Sequence, residues 1–423
     1  MHLRYSFRLE PTPGQRIALA RTFGCARVVY NDALAARKAA YQADRSRIAT
    51  GALAKRVITD AKKTPERAWL AEVSVDALQS SLRDLDTAYA NFFASVSGKR
   101  RGRRMGLPVF KSKKDSRQAV RFSRNGFRLR DNGRLNLAKI GDVRVRWSRE
   151  LPSAPSSVTV VKDASGRYFA SFVVDVEPET LPPVDAEVGI DLGLMLPQTL
   201  SGGTPIAVLS DGRVIDNPRF LRRAERRLRK AQQALSRKAK GSKNRAKARL
   251  KVARAHARVA DARRDWCHQN ASRLVRDNQA VYLEDLAVSG LARTRLAKSV
   301  HDAAWGMFRH VLEEKAARYG RHVGIVSRWL PSSRTCSVCW VVDGKKPLHV
   351  RIWRCEGCGT EHDRDLNASR VILAAGQAER LNAPGGPVSP GVEIPRQARP
   401  VERGTHPKAQ PVTTGSQTGI PVL

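Results

Sequence analysis

Three acids that lie far apart in the chain occupy similar settings. Asp191 sits in Val188-Gly189-Ile190-Asp191-Leu192-Gly193, a short apolar run flanked by glycines. Such a run predicts a buried strand delivering one carboxylate: Ile190 and Leu192 pack, and Asp191 points to the opposite side. The glycines leave room for a backbone or a ligand to approach closely. Glu284 falls near the end of a second apolar run, Ala280-Val281-Tyr282-Leu283-Glu284-Asp285-Leu286, and Asp365 precedes a helical stretch with Asn367 in its first turn. Each acid taken singly reads as an ordinary cap or surface residue. Together on a polybasic chain, Asp191, Glu284 and Asp365 predict a catalytic site whose hard oxygen ligands suit Mg2+ or Mn2+. Two such ions stabilise the attacking and leaving oxygens of an in-line phosphodiester hydrolysis.

A different metal chemistry is written in Cys336-x-x-Cys339 and Cys355-x-x-Cys358, with fifteen residues between the pairs. Each pair fits a tight knuckle, so four thiolates converge tetrahedrally on one Zn2+. A shell of four cysteines has no open position, which makes this zinc structural. Redox chemistry is the competing reading of a C-x-x-C pair, and two matched pairs favour metal. Cys25 and Cys267 stand alone in helical-looking segments, where burial is expected. Trp353 and Arg354, just before the second pair, either grip nucleic acid or pack the ribbon.

The 423 residues carry 77 Lys and Arg against 39 Asp and Glu, a formal charge of +38. Such an excess repels itself in a compact monomer unless a polyanion is near, and nucleic acid is the natural partner. The sequence contains neither a long apolar run nor an N-terminal signal segment, so a membrane partner is not expected and a soluble, intracellular protein is.

The elements that must position these residues follow in order. Residues 1–10 alternate as a strand, Pro11-Thr12-Pro13 stops it, and helical periodicity runs with breaks to about residue 96, its Leu78, Leu82, Leu85 and Phe92 stripe reading as core. Basic residues cluster over 99–114, and Lys111 and Lys113 there are candidate phosphate contacts. Short alternating runs at 120–122, Phe127–Leu129, 143–147, 157–161 and 169–174 predict a small β-barrel or sandwich. Residues 178–184 form a linker. Beyond the Asp191 strand, 206–209 and a run from Val214 read as further strands. A long basic helical stretch, 219–276, breaks at Gly241-Ser242 and predicts a hairpin with one packed seam; Arg226, Arg227, Lys230, Lys243, Arg245 and Lys247 are its candidate nucleic-acid contacts, as is Arg334 near the first cysteine pair. A helix over about 305–319 and a strand over 323–326 precede the cysteines. From Gly376 the chain turns to Pro, Gly, Ser and Thr, and disorder is expected.

The order GIDLG, YLEDL, S-S-R-T-C-x-x-C, C-x-x-C-G and H-D-R-D-L-N-A-S resembles the TnpB (OrfB) proteins of insertion sequences, relatives of the type V CRISPR effector nucleases. RLEPTPGQ, FGCARVVYNDAL and RLNAPGG extend the resemblance over about residues 3–390. The resemblance implies an α/β multidomain RNA-guided DNA endonuclease. Its RuvC-like, RNase H-type nuclease domain spans 184–330, is interrupted by a zinc ribbon at 331–361 and resumes at 362–376. It also implies a wedge-type β-barrel from 1–10 and 105–178, a helical recognition lobe at 11–104, and a tail from 377 to 423. Asp191, Glu284 and Asp365 match the family's three acids, with Asp363 the neighbour easily mistaken for the third. The implied partners are a guide RNA from a transposon end and target DNA beside a short adjacent motif, pairing supplying most of the specificity. The element's companion transposase is a candidate partner, and the implied location is the prokaryotic cytoplasm, at the nucleoid.

Two departures from the family pattern stand out. The loop at 194–205 is longer than the usual connection, and Trp340 stands where a glycine commonly follows the first cysteine pair. Neither removes an acid or a zinc ligand, so a competent enzyme is expected. The rival readings are a DNA transposase performing strand transfer and a guided binder that represses without cutting.

Overall fold

The computed structural model describes residues 1–100, 102, 104–194, 205–347 and 349–382. The expected tail beyond 382 and most of the long loop at 194–205 lie outside these residues. Within them the chain divides into two compact units, Met1–Glu177 and a second beginning at Pro178.

The first unit opens with β1 (His2–Glu10), whose odd-numbered residues from Leu3 to Leu9 are buried, the period-two pattern of a strand with one solvent face. Thr12 then starts α1 (Pro13–Asp44) with a reciprocal cap: its hydroxyl accepts from Gln15 N at 3.3 Å, and Gln15 Oε1 accepts from Thr12 N at 3.0 Å. Short helical turns, including α2 (Thr50–Ala54), lead to α3 (Val75–Val96). Leu34, Leu53, Val57, Leu70, Leu78, Leu82 and Leu85 close a helical core between them. Six further strands follow: β2 (Gln118–Ser123), β3 (Phe127–Leu129), β4 (Leu135–Leu137), β5 (Gly141–Arg146), β6 (Ser157–Lys162) and β7 (Tyr168–Asp175). They pair antiparallel in the order β2-β6-β7-β1-β5-β4-β3. Among the described residues no ladder joins β2 to β3, so the seven strands form a sheet with two ends. The sheet curls, bringing Phe127 on β3 within 6.4 Å of Phe172 on β7, centroid to centroid.

The second unit is built on a five-stranded sheet, β10-β9-β8-β11-β12, comprising β8 (Glu187–Leu192), β9 (Pro205–Leu209), β10 (Val214–Asp216), β11 (Ala280–Glu284) and β12 (His322–Val326). The first three strands meander antiparallel; β11 lies parallel to both β8 and β12. Between β10 and β11 stands the basic hairpin, α4 (Phe220–Ser236) and α5 (Lys243–Asp277). Helices α6 (Val288–Leu291), α7 (Ala297–Ala303) and α8 (Trp305–Tyr319) connect β11 to β12. Val188, Ile190, Leu192, Val281 and Leu283 face Cys267, Ala271 and Leu274 of α5 and Phe308 and Leu312 of α8. Each fully buried aliphatic chain there contributes roughly 1.5–3 kcal/mol. Cys25 and Cys267 are both buried, as expected.

The opposite face of the sheet carries the last helix. The ribbon hairpin, β13 (Ile352–Arg354) and β14 (Glu361–Asp363), leads directly into α9 (Arg364–Leu381). Disorder expected from residue 377 is corrected by this helix. Its last turn is held to the sheet by Gln377 Nε2, 2.9 Å from Glu187, and by the Arg380 guanidinium on the same carboxylate.

Candidate active site and cysteine cluster

Register brings two of the three acids together. On the adjacent parallel strands β8 and β11, Ala280 pairs with Glu187 and Leu283 with Ile190, so the next step sets Glu284 level with Asp191. Alternation then fixes the face. Residues 188, 190 and 192 point into the core shared with α5 and α8, so Asp191 points to the α9 side, where Tyr282 also packs and where Glu284 follows it.

Helix α9 descends that face antiparallel to β8. Glu187 meets Gln377 and Arg380, and Gly189 meets Ser369 and Leu373. Asp191, two residues further along β8, comes level with the first turn of α9 and Asp365. The approach at Gly189 is backbone on backbone: a Cβ there would lie 2.2 Å from the Ser369 carbonyl oxygen and 2.5 Å from Leu373 N. Tyr282 wedges between Gly324 and Gly376, whose Cβ positions its ring would occupy, and donates its hydroxyl to Glu187 at 3.2 Å. Asp363 is the N-cap of α9, its carboxylate accepting from Asp365 N at 3.0 Å and Leu366 N at 2.9 Å, which distinguishes its role from that of Asp365.

The electrostatics record the crowding. Burial, then the Asp365 and Glu284 charges, push the Asp191 carboxyl up to about 8. Burial raises Glu284, with Asp285 adding to it, and burial raises Asp365 despite the opposing guanidinium of Arg351. Asp285, next to Glu284, is held below the usual carboxylate range by hydrogen bonds from Arg328 and Arg309. Burial disfavours the charge on all three carboxyls, and carboxylate oxygens are the kind of donor a divalent cation takes. Arg351 was not legible as part of this group; its Nη1 lies 3.1 Å from both oxygens of Asp365.

The cysteines close more tightly. Among the described residues, Cys336, Cys339, Cys355 and Cys358 are the one group of three or more such ligands whose atoms all lie within 4.8 Å of one another. Thiolates so placed suit Zn2+. His362 Nε2 stands 3.0 Å from the Cys336 sulfur, and Trp353 is buried against the His362 ring, 4.9 Å between centroids. Trp353 is thus a packing residue of the ribbon. Asn367 ties the ribbon to α9: its Oδ1 accepts from Ser337 N at 2.9 Å and its Nδ2 donates to Thr335 O at 2.7 Å.

Comparison with known proteins identifies relatives of this chain. A protein from Streptomyces pristinaespiralis named "Putative RNA-guided DNA endonuclease" is 45% identical over 93% of this chain and 94% of its own length. The chain belongs to the TnpB (OrfB) family. InsQ of Escherichia coli K12 and a relative from Mycobacterium tuberculosis, both named with the same activity, are each 30% identical over 88% and 86% of the chain. Family models described as "Probable transposase", "Cas12f1-like, TNB domain" and "Helix-turn-helix domain" match residues 171–295, 305–372 and 1–46. In this TnpB chain the last of these segments is a strand followed by one unbroken helix. The protein chain of a Cas12f1–sgRNA–target DNA complex shares the fold, with TM-score 0.52 at 14% identity, covering 84% of this chain and 82% of its own.

The expected phosphate contacts divide into two groups. Lys113, Arg226, Arg227, Lys230, Lys243, Lys247 and Arg334 are exposed. Arg245 instead donates to the Leu235 and Lys238 carbonyls at 3.1 and 2.7 Å, closing the hairpin turn, and Lys111, though an exposed residue, folds its ammonium 3.9 Å from the Tyr30 ring centroid. The hairpin is docked by a residue the sequence did not single out. Buried Asp302 accepts from Leu221 N at 2.8 Å and Arg222 N at 3.1 Å at the uncapped start of α4, and from Arg263 Nη2 of α5 at 3.2 Å. No helix of the described residues is long and apolar enough to cross a membrane.

Proposed function

We propose that this chain is an RNA-guided, divalent-metal-dependent DNA endonuclease, encoded by a transposable element, that hydrolyses phosphodiester bonds at Asp191, Glu284 and Asp365. The observation carrying the reading is the convergence of these acids, level on adjacent strands and at the helix start facing them, where burial and then the Asp365 and Glu284 charges raise Asp191. Asp191, Glu284 and Asp365 would hold Mg2+ or Mn2+, which supplies charge stabilisation of the attacking and leaving oxygens.

The chain's own residues do the rest. Gly189 and Tyr282 fix the depth at which α9 sits, and Asp363 caps the turn that presents Asp365. Asn367 couples that turn to the zinc ribbon, so Zn2+ on the four cysteines acts through positioning. The order of the five-stranded sheet supports an RNase H-type, RuvC-like assignment, with the curled sheet of the first unit as wedge and its helices as recognition lobe. The exposed cations of the hairpin suit the backbone of a guide RNA and of target DNA. Sequence would then be read mainly by guide pairing, beside a short adjacent motif.

The test is cleavage of a guide-matched DNA by the protein copurified with its RNA. Wild type should cut and Asp191→Ala should not. Equal cutting by both would remove Asp191 from the chemistry, and joined products from transposon ends without RNA would favour strand transfer.

A further inference from the structure

Trp329 is the most exposed large apolar side chain among the described residues, at 86%. It does not dangle. Its backbone N–H donates to Ser327 Oγ at 3.3 Å, and Leu330 N closes the turn on Ser327 O at 3.0 Å. Leu330 on one side packs with Tyr282, Val326 and Ile372. On the other side, Arg328 forks its guanidinium onto Asp285, with Nε at 3.0 Å, while Asp285 N donates to Val326 O at 2.9 Å. Asp285 is also gripped by Arg309 Nη1 at 3.1 Å. The turn bearing Trp329 is therefore clamped to the strand end that carries Glu284. Downstream, the chain runs through Pro331 into the first cysteine knuckle, which Asn367 ties to the helix carrying Asp365.

An indole held on a rigid turn and left in water is a surface without an internal partner. Its exposed polar neighbours in sequence are Ser327, Arg328 and Arg334, which suit an aromatic, negatively charged strand better than an apolar protein surface. Duplex bases hide their faces in the stack, so an unpaired base is the partner that can present one. We infer that Trp329 is a positioning residue: it stacks on an unpaired nucleobase of the DNA strand entering the site and fixes the register of the phosphate delivered to Asp191, Glu284 and Asp365. This inference rests on the guided-nuclease reading.

The experiment uses the full chain copurified with its RNA and a series of matched DNA targets, each with one abasic position near the cut. Wild type loses roughly 10- to 100-fold in cleavage efficiency when the base that stacks is missing, the range expected for one lost stack. Trp329→Ala suffers a similar loss on intact DNA and is insensitive to the abasic site, whereas Trp329→Phe recovers most of the activity and the sensitivity. The melting temperature of Trp329→Ala stays that of wild type, since the ring buries little. Cleavage by Trp329→Ala at the wild-type rate, or with the wild-type abasic profile, overturns the inference alone. A wild-type complex that cuts no matched DNA overturns the guided reading and this inference with it.

Discussion

Arg351 sets one guanidinium nitrogen 3.1 Å from each oxygen of Asp365, from a position in the ribbon fourteen residues earlier. Both side chains are largely shielded, at 28% and 16% exposure, so the pair is stronger than a surface bridge. A cation binding Asp365 competes with that guanidinium. Replacing Arg351 by Ala should lower the Mg2+ concentration giving half-maximal cleavage by about 3- to 10-fold, the order expected for removing one nearby charge. A magnesium titration of the two ribonucleoproteins decides it; an unchanged or raised midpoint would show that Arg351 does not compete for Asp365.

The raised Asp191 carboxyl makes a prediction about stability that needs no catalysis. Its folded value of about 8 lies above the ordinary 3.8, so the folded state holds a proton that the unfolded state releases. Metal-free stability is therefore highest below pH 4 as far as this group is concerned, and declines as pH rises from there through about 8. Glu284 and Asp365 are raised in the same direction. In EDTA at pH 8, Asp191→Asn should be more stable than wild type by at least about 1 kcal/mol, since a tenfold change in proton affinity corresponds to about 1.4 kcal/mol. The same variant should gain less from added Mg2+. Thermal melts with and without metal test both statements, and a variant less stable than wild type in EDTA would contradict the crowding of charge.

Gly189 is required by sterics. Ala at this position aims its methyl at the Ser369 carbonyl and Leu373 N, both backbone atoms of α9 that cannot rotate away. The helix must lift, costing about 1–3 kcal/mol for overpacking, and Asp365 moves with it. Gly189→Ala should retain guide binding and lose at least about tenfold in cleavage rate, since small misplacements of reacting groups are felt at that scale. Wild-type cutting by this variant would mean that α9 does not set the site.

These contacts show what a sequence of this kind discloses. The alternation around Asp191 and the glycine's close approach were legible because strand periodicity is local, and the cysteine knuckles because metal geometry dictates spacing. The partner of Asp365 was not, since pairing Arg351 with it depends on the ribbon folding back. Asp302 was equally hidden: an acid in a short helix supplies the cap that α4 lacks, some eighty residues earlier in the chain. Gly376 was misleading. It reads as the end of a helix, yet it lies within α9 because the Tyr282 ring occupies the space a side chain would need. Leu135–Leu137, three residues between turns, was too short to show a period.

Asp302 offers a test of the hairpin. Its carboxylate is fully shielded and satisfies two amides of α4 and the Arg263 guanidinium at once. Asp302→Ala leaves those donors unpaired in a buried place, which costs about 3–5 kcal/mol. Hydrogen exchange should quicken in α4 and in the middle of α5 before it changes in the central sheet, because the sheet's own core does not include the carboxylate. Uniform loss of protection across the second unit would instead make the hairpin part of one cooperative block.

Trp340 holds a strained backbone position. It adopts φ +64°, in the left-handed region, with its N–H on the Cys336 carbonyl at 3.0 Å. That backbone closes the first cysteine knuckle, and it is where the sequence departs from the glycine common in the family. A residue with a Cβ loses roughly 1–2 kcal/mol in that conformation, and glycine essentially none. Trp340→Gly should therefore steady the knuckle. Glycine's freer unfolded chain opposes the gain, at about 0.5–1 kcal/mol, leaving a net stabilisation of up to about 1.5 kcal/mol. The readout is the rate at which a chelator strips Zn2+ from the folded protein, which should slow several-fold in Trp340→Gly. Trp340→Ala separates the causes, since it keeps the strain and removes only the indole; its loss of zinc should be no slower than that of wild type. Faster stripping from the glycine variant would mean that indole packing outweighs the backbone strain.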